Sequence, residues 1–176
     1  MPSKISLAQL NHQSPAEFAH HLGGIYEHSP WIPAGICPQR PFADATRLRA
    51  ALRQSVSDAT RAQQLALLLA HPELAGKEAQ AGSLTVHSSQ EQQGAGLVNL
   101  SAAEQAEIAD LNRAYRKKFG FPFIIAVRHH TKSSILSEFR RRAAGSDLDQ
   151  ELQTCLEQVH EIAHLRLEAL LGAHVG

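Results

Sequence analysis

Phe119 to Arg128 reads FGFPFIIAVR, and the reading of this stretch decides the fold. Taken alone it is apolar, aromatic and β-branched, the composition of a strand. A strand needs a partner, and no second run of this kind occurs elsewhere in the chain. The stretch is therefore expected to be extended without a sheet, near 121–128, inside an all-α, single-domain helical bundle. Its backbone N–H and C=O groups then need partners other than a ladder. A bound polar ligand is one candidate.

Outward from this stretch the patterns are helical. On its N-terminal side, Ser101-Ala102-Ala103-Glu104 is a capping box that predicts a helix to about Lys118. On its C-terminal side, Ser133 or Ser134 is expected to cap a helix to about Ala144, and a last helix should run from Asp147 to about Leu171. The apolar stripe of that last helix is Leu148, Leu152, Cys155, Leu156, Val159, Ile162, Ala163 and Leu170, and Arg166 lies on it. Nearer the N-terminus, Ser14-Pro15-Ala16-Glu17 predicts a helix to about Leu22, ended by Gly23-Gly24. The prolines of 25–42 predict an irregular connection anchored by Trp31 and Phe42. From Asp44 to Ala70 two helices should meet near Ser57-Asp58.

Bulk properties agree with one folded domain spanning 1–176: 43% of residues are hydrophobic and 19% charged. Lys+Arg and Asp+Glu both count 17, so no global charge favours nucleic acid or a membrane surface. Two cysteines without a pairing framework suit a reducing compartment. The opening residues and the final Ala-His-Val-Gly read as no secretory leader and no Ser-Lys-Leu peroxisomal address, and no apolar run approaches membrane-spanning length, so neither export nor a peroxisomal address is expected. The expected location is the cytoplasm.

Chemistry-bearing residues concentrate between Ala70 and Leu100. Pro72 disfavours α backbone in the residue before it, so the helix must stop near His71. The partial negative charge of a helix C-terminus favours the imidazolium form there. Ser88-Ser89-Gln90-Glu91 fits a capping box with Ser88 as the N-cap, and Gly94-Ala95-Gly96 leaves room for a ligand close to the backbone. Arg166, on an apolar stripe, can pair with a buried carboxylate or extend its head to water. His160-Glu161-Ile162-Ala163-His164 is a literal HExxH. Both histidines are expected on the polar face with Glu157, Glu161 and Glu168, and no third ligand follows at suitable spacing. No metal site is expected.

Five blocks together carry more than their parts: EHSPW at 27–31, HPELAGK at 71–77, SSQEQQGAGL at 88–97, LNRAYRKKFGFPFIIAVR at 111–128 and IAHLRL at 162–167. In this order, over nearly the whole chain, they closely resemble the 2-oxo-4-hydroxy-4-carboxy-5-ureidoimidazoline (OHCU) decarboxylase family. The resemblance implies a purine-catabolic carboxy-lyase, acting after urate oxidase and hydroxyisourate hydrolase, that gives (S)-allantoin without a cofactor. It implies that His71 is the acid/base residue, with Pro72 beside the substrate. The family's Ser-x-x-Glu-Gln falls on Ser88, Glu91 and Gln92, with Glu91 catalytic. The extended substrate-binding backbone falls on Phe123, Ile124, Ile125, Ala126 and Val127. Arg166 resembles an arginine near the substrate's anionic group. The expected partners are a small ureidoimidazoline substrate and, left open, a second copy of the chain in a homodimer. Animal members often end in a peroxisomal signal; this chain departs there, which suggests a bacterial-type cytosolic enzyme, and the transthyretin-like hydrolase domain fused in some members is not expected here. Two other classes, a helical interaction module and a metal hydrolase using 160–164, are separated from this reading by turnover and by metal content.

Overall fold

The structure, a computed structural model, describes residues 4–145 and 147–172; the C-terminal Ala-His-Val-Gly lies outside them. Among the described residues there are ten α-helices, two 3₁₀ turns and no strand. The fold is all-α. No helix among these residues is long and apolar enough to cross a membrane. The chain divides into two compact units, one of Met1–Ala70 with His160–Gly176 and one of His71–Val159.

The first unit holds α1 (Leu7–His12), α2 (Pro15–Leu22), α3 (Trp31–Ile36), a 3₁₀ turn (Cys37–Gln39), α4 (Ala45–Ser57) and α5 (Arg61–Leu69). The second half of α10 (Leu148–Leu171) completes it. The Ser14–Glu17 capping box opens α2 as the sequence predicts, and Asp44 and Thr60 cap α4 and α5. The connection 25–42 is more regular than expected. Pro30 is the N-cap of α3 and Pro33 lies in its first turn, where backbone N–H groups have no intrahelical acceptor and a proline removes nothing. Trp31 is only half-buried, so Ile32, Ile36 and Phe42 anchor this segment instead. Asn11 fixes Phe42 through a reciprocal pair of 2.9 Å hydrogen bonds, its Nδ2 donating to the Phe42 carbonyl and its Oδ1 accepting the Phe42 N–H.

The second unit holds α6 (Lys77–Gln80), α7 (Val86–Gly94), α8 (Ala102–Phe119), a 3₁₀ turn (Val127–His129), α9 (Lys132–Ala144) and the first half of α10. Ser101 and Glu104 cap α8 reciprocally, and Gly120 ends it with φ of +82°, the left-handed conformation glycine adopts without penalty. The cap of α9 is Thr131, with Ser134 returning the bond from the third helical position, so the helix starts two to three residues earlier than the sequence suggests. Leu148, expected on the core stripe, is 45% exposed because the first turn of α10 runs beyond the core. The remaining stripe residues of this half, Leu152, Cys155, Leu156 and Val159, are buried.

The core of the second unit forms around FGFPFIIAVR. Tyr115 meets Phe119, Phe121, Phe123 and Phe139 at ring-centroid distances of 4.7, 6.2, 5.5 and 5.9 Å. Phe123 and Phe139 stack at 3.9 Å. Residues 121–127 are all buried and none is in a strand, as the lack of a partner run requires.

Candidate active site

The HPELAGK motif is a loop between α5 and α6. Leu69 ends α5, Ala70 caps it, and His71 follows at 7% exposure. The loop turns sharply at Ala75, whose φ is +46°. A non-glycine residue held there costs about 1–2 kcal/mol, so the surroundings must hold it. A Cβ on Gly76 would stand 2.8 Å from Glu73 Cβ and 3.2 Å from the Glu73 carbonyl oxygen. The turn closes too tightly at that point for any side chain, which accounts for the glycine of the motif.

Two buried carboxamides help to hold the loop, alongside an Arg116–Glu73 ion pair at 3.6 Å. The Ala75 N–H donates to Gln92 Oε1 at 2.9 Å, and Asn112 Nδ2 donates to the Leu74 carbonyl at 3.0 Å. Gln92 reaches the loop from α7 and Asn112 from α8.

The α7 helix has an inverted pattern. Its buried residues are Ser88 and Gln92, four apart on one face, and Glu91 beside them is half-buried. Its one large apolar residue, Val86, is 61% exposed. A helix that buries a hydroxyl and an amide, with a carboxylate half-buried beside them, gives up hydrophobic stabilisation, and such a face suits a polar ligand. The N-cap is Thr85, whose Oγ1 accepts the Ser88 N–H at 3.3 Å. The capping box predicted at Ser88–Glu91 is therefore displaced by one turn. Thr85 is an equally good cap three residues earlier, and this leaves the Ser88 and Glu91 side chains inside the helix rather than at its start.

Helix α7 packs on the 3₁₀ turn 127–129, directly after the extended segment. That segment draws its hydrogen bonds from α9 and α10. Arg142 Nη1 donates to the Ile124 carbonyl at 2.7 Å, and the Ala126 N–H donates to Gln158 Oε1 at 3.0 Å. Arg142 also donates from Nε to Glu151 Oε1 at 2.8 Å and lies over the Phe123 ring at 4.4 Å. Tyr115 donates its hydroxyl to the same Glu151 oxygen. Burial pushes the Tyr115 hydroxyl and the Cys155 thiol well up, so both stay protonated beside the ion pair. Among the described residues, the N–H and C=O of Ile125 form no hydrogen bond. The His71–Ala75 loop, α7 and the 123–127 segment are thus joined in one unit, as a polar helix face, a buried histidine and an extended backbone with groups to spare.

Arg166 lies in the other unit. Its Nη1 donates to Glu27 Oε2 at 2.7 Å and to the Gly24 carbonyl at 3.1 Å, both partners within that unit. The HExxH histidines are there as well. His160 is not on a polar face: it is buried, with Nδ1 3.0 Å from the Tyr26 hydroxyl, because the inward face of α10 is wider than its aliphatic stripe. His164 Nε2 stands 3.3 Å from Arg49 Nη1. Among the described residues no group of three or more His, Cys, Asp or Glu is placed to hold a metal ion.

Sequence reasoning missed Asn112, Arg142, Glu151 and Gln158. Asn112 occupies a core position between Ile108 and Tyr115, and Arg142 follows Ile135 and Phe139 at spacings of seven and three. A polar residue at an apolar-stripe position was the available signal.

Residues 11–168 match the family model described as OHCU decarboxylase. The chain belongs to the OHCU decarboxylase family. It is 38% identical over 164 residues to the 2-oxo-4-hydroxy-4-carboxy-5-ureidoimidazoline decarboxylase of Haloferax volcanii, covering 93% of this chain and 95% of that protein. To the protein of the same name from Mus musculus it is 36% identical over 170 residues, covering 97% and 95%. Among solved structures, (S)-allantoin synthase superposes with a TM-score of 0.77 at 33% identity, covering 95% of this chain and 54% of that one. The OHCU decarboxylase family resemblance read from the five sequence blocks is thereby established, and all five blocks carry residues described above.

Proposed function

We propose that this chain decarboxylates 2-oxo-4-hydroxy-4-carboxy-5-ureidoimidazoline to (S)-allantoin in urate degradation, with residues 1–176 acting as one catalytic domain in the cytoplasm. The observation that carries the reading is full-length similarity, at 36–38% identity, to proteins named for that reaction.

Decarboxylation breaks the bond between the ring carbon and its carboxylate. The electron pair left behind moves into the adjacent C=N bond of the ring, CO₂ departs, and a proton is delivered to carbon. The substrate supplies its own electron sink, so the reading needs no metal or organic cofactor. The protein must orient the carboxylate, hold the ring and place the proton on one face. Ser88, Glu91 and Gln92 on the inward face of α7 hold the hydroxyl, ureido and ring N–H groups. Gln92 has given its oxygen to Ala75, which leaves its Nε2 as the group that donates to the substrate. The backbone of Phe123 to Val127 lies along the ring, with Ile125 N–H and C=O as its ready donor and acceptor. Pro72 packs beside the substrate, and His71 manages the proton with Glu91.

The test generates the unstable substrate in situ from urate with urate oxidase and hydroxyisourate hydrolase. Circular dichroism then follows (S)-allantoin with and without this protein. Formation no faster than the spontaneous rate would overturn the proposal.

A further inference from the structure

One peptide unit of the HPELAGK loop is gripped at both ends. The Leu74 carbonyl accepts from Asn112 Nδ2, and the Ala75 N–H of the same peptide donates to Gln92 Oε1. Asn112 is 4% exposed and Gln92 5%; the Asn112 bond is buried and the Gln92 bond partly so. The gripped peptide lies three residues after His71, at the turn where Ala75 takes its positive φ.

Asn112 is a poor choice for a position that only fills space. Its flanking core residues on α8 are Ile108 and Tyr115. Its Oδ1 is buried and accepts no hydrogen bond among the described residues. A buried unpaired oxygen is unfavourable, and an apolar side chain of the same volume would avoid it. What the carboxamide supplies and leucine cannot is the Nδ2 donor to Leu74. That bond and the Gln92 bond fix both the height and the tilt of the peptide plane relative to α7, the helix that carries Ser88 and Glu91.

We infer that Asn112 is a positioning residue for the reaction: together with Gln92 it clamps the Leu74–Ala75 peptide and so fixes His71 relative to the polar face of α7. This rests on the proposed role of His71 in handling the proton. Without the clamp the buried Leu74 carbonyl has no donor, and the loop relaxes away from its strained turn. The substrate still meets α7 and the 123–127 backbone, so binding changes less than turnover.

The experiment compares Asn112→Asp, Asn112→Leu and His71→Asn in the coupled urate assay, with thermal melts of each. At neutral pH the Asp carboxylate repels the Leu74 carbonyl. Once protonated, it donates an O–H in place of the lost amide, and burial raises the pH at which this happens. Asn112→Asp should lose about 10- to 100-fold in kcat at pH 8, the scale of a small misplacement of a reacting group, with KM changed by less than about threefold. Its kcat should recover as the pH falls, while the wild type does not rise in parallel. Asn112→Leu should show the same loss with no recovery, and it serves alone if the Asp protein does not fold. Wild-type kcat in the folded Asn112 variants, with His71→Asn crippled, would overturn the clamp and leave the function standing. A pH-independent loss in Asn112→Asp, matched by a rise in KM of the same factor, would show a collapsed site and also overturn it. Wild-type kcat in His71→Asn would remove His71 from the chemistry, and the inference with it.

Discussion

Arg166 and Glu27 face one another across 2.7 Å, from opposite ends of the sequence, with both side chains almost wholly removed from water. Each is the other's answer to burial: a lone charge in such a place is strongly unfavourable, while the hydrogen-bonded pair is tolerated. Arg166→Met should therefore destabilise the protein by about 3–5 kcal/mol, because it removes the cation paired with the buried Glu27 carboxylate. Arg166→Lys keeps a charge for Glu27 but replaces a planar fork with a point charge. If Arg166 also meets the anionic group of the substrate, the lysine variant should melt near the wild type and show a raised KM or a lowered kcat. Unchanged kinetics would leave Arg166 a structural role, with Glu27 and the Gly24 carbonyl among its partners.

His71→Asn retains a polar group of similar size but cannot exchange a proton near neutral pH. Removing a positioned acid/base group costs roughly 10²–10⁴-fold in rate, and kcat should fall by that factor while an analogue such as allantoin still binds. The residual product should be partly racemic, since water then supplies the proton. Glu91→Gln should weaken both binding and turnover. Enantiopure allantoin at near-wild-type kcat from His71→Asn would leave Glu91 as the proton carrier.

Arg142→Met removes the donor to the Ile124 carbonyl and strands Glu151, so we expect a loss of about 3–5 kcal/mol. Adding Glu151→Leu should return part of that stability, because the unpaired charge is gone. It should not return activity, because Ile124 is still without its donor and the 123–127 backbone is unsupported. Full turnover in the double variant would show that the extended segment holds its shape without Arg142.

Acid should act partly through Glu104. Lys132 and the Ser101 N–H hold its carboxylate and push its pKa from 4.5 down to about 2. A carboxylate depressed in the folded state contributes stability that is present above the unfolded value and lost as the pH falls. The loss should fall between pH 4.5 and about 2. Glu104→Gln should lower the melting temperature near neutrality and flatten its decline through that window. An identical acid limb in the variant would assign the loss to other carboxylates.

The helices were legible where capping chemistry is local. Ser14, Asp44 and Ser101 each mark a start that the structure keeps. The lone strand-like run was correctly refused a sheet, because pairing is a demand that one run cannot meet. Legibility failed where two local choices compete. Thr85 and Ser88 are both good caps, and only packing chose between them. Pro30 and Pro33 read as breakers, but in a first turn they break nothing. His71, Ser88, Glu91 and Gln92 were named from the sequence because the family motif carries them. Arg142 and Asn112 were not, since a polar residue on an apolar stripe signals burial without naming the backbone carbonyl it serves.

The inward polarity of α7 has a dynamic consequence. Hydrophobic burial does little to keep this helix docked, since its sealed residues are a serine and a glutamine. It should be among the first segments of its unit to open locally, ahead of α8 and α9, whose aromatic residues are sealed in the core. Amide exchange should be fastest there in the empty protein, and saturating allantoin should slow it selectively. If α7 holds the substrate as proposed, the ligand takes the part an apolar stripe plays in other helices, and its binding completes the folding of that segment.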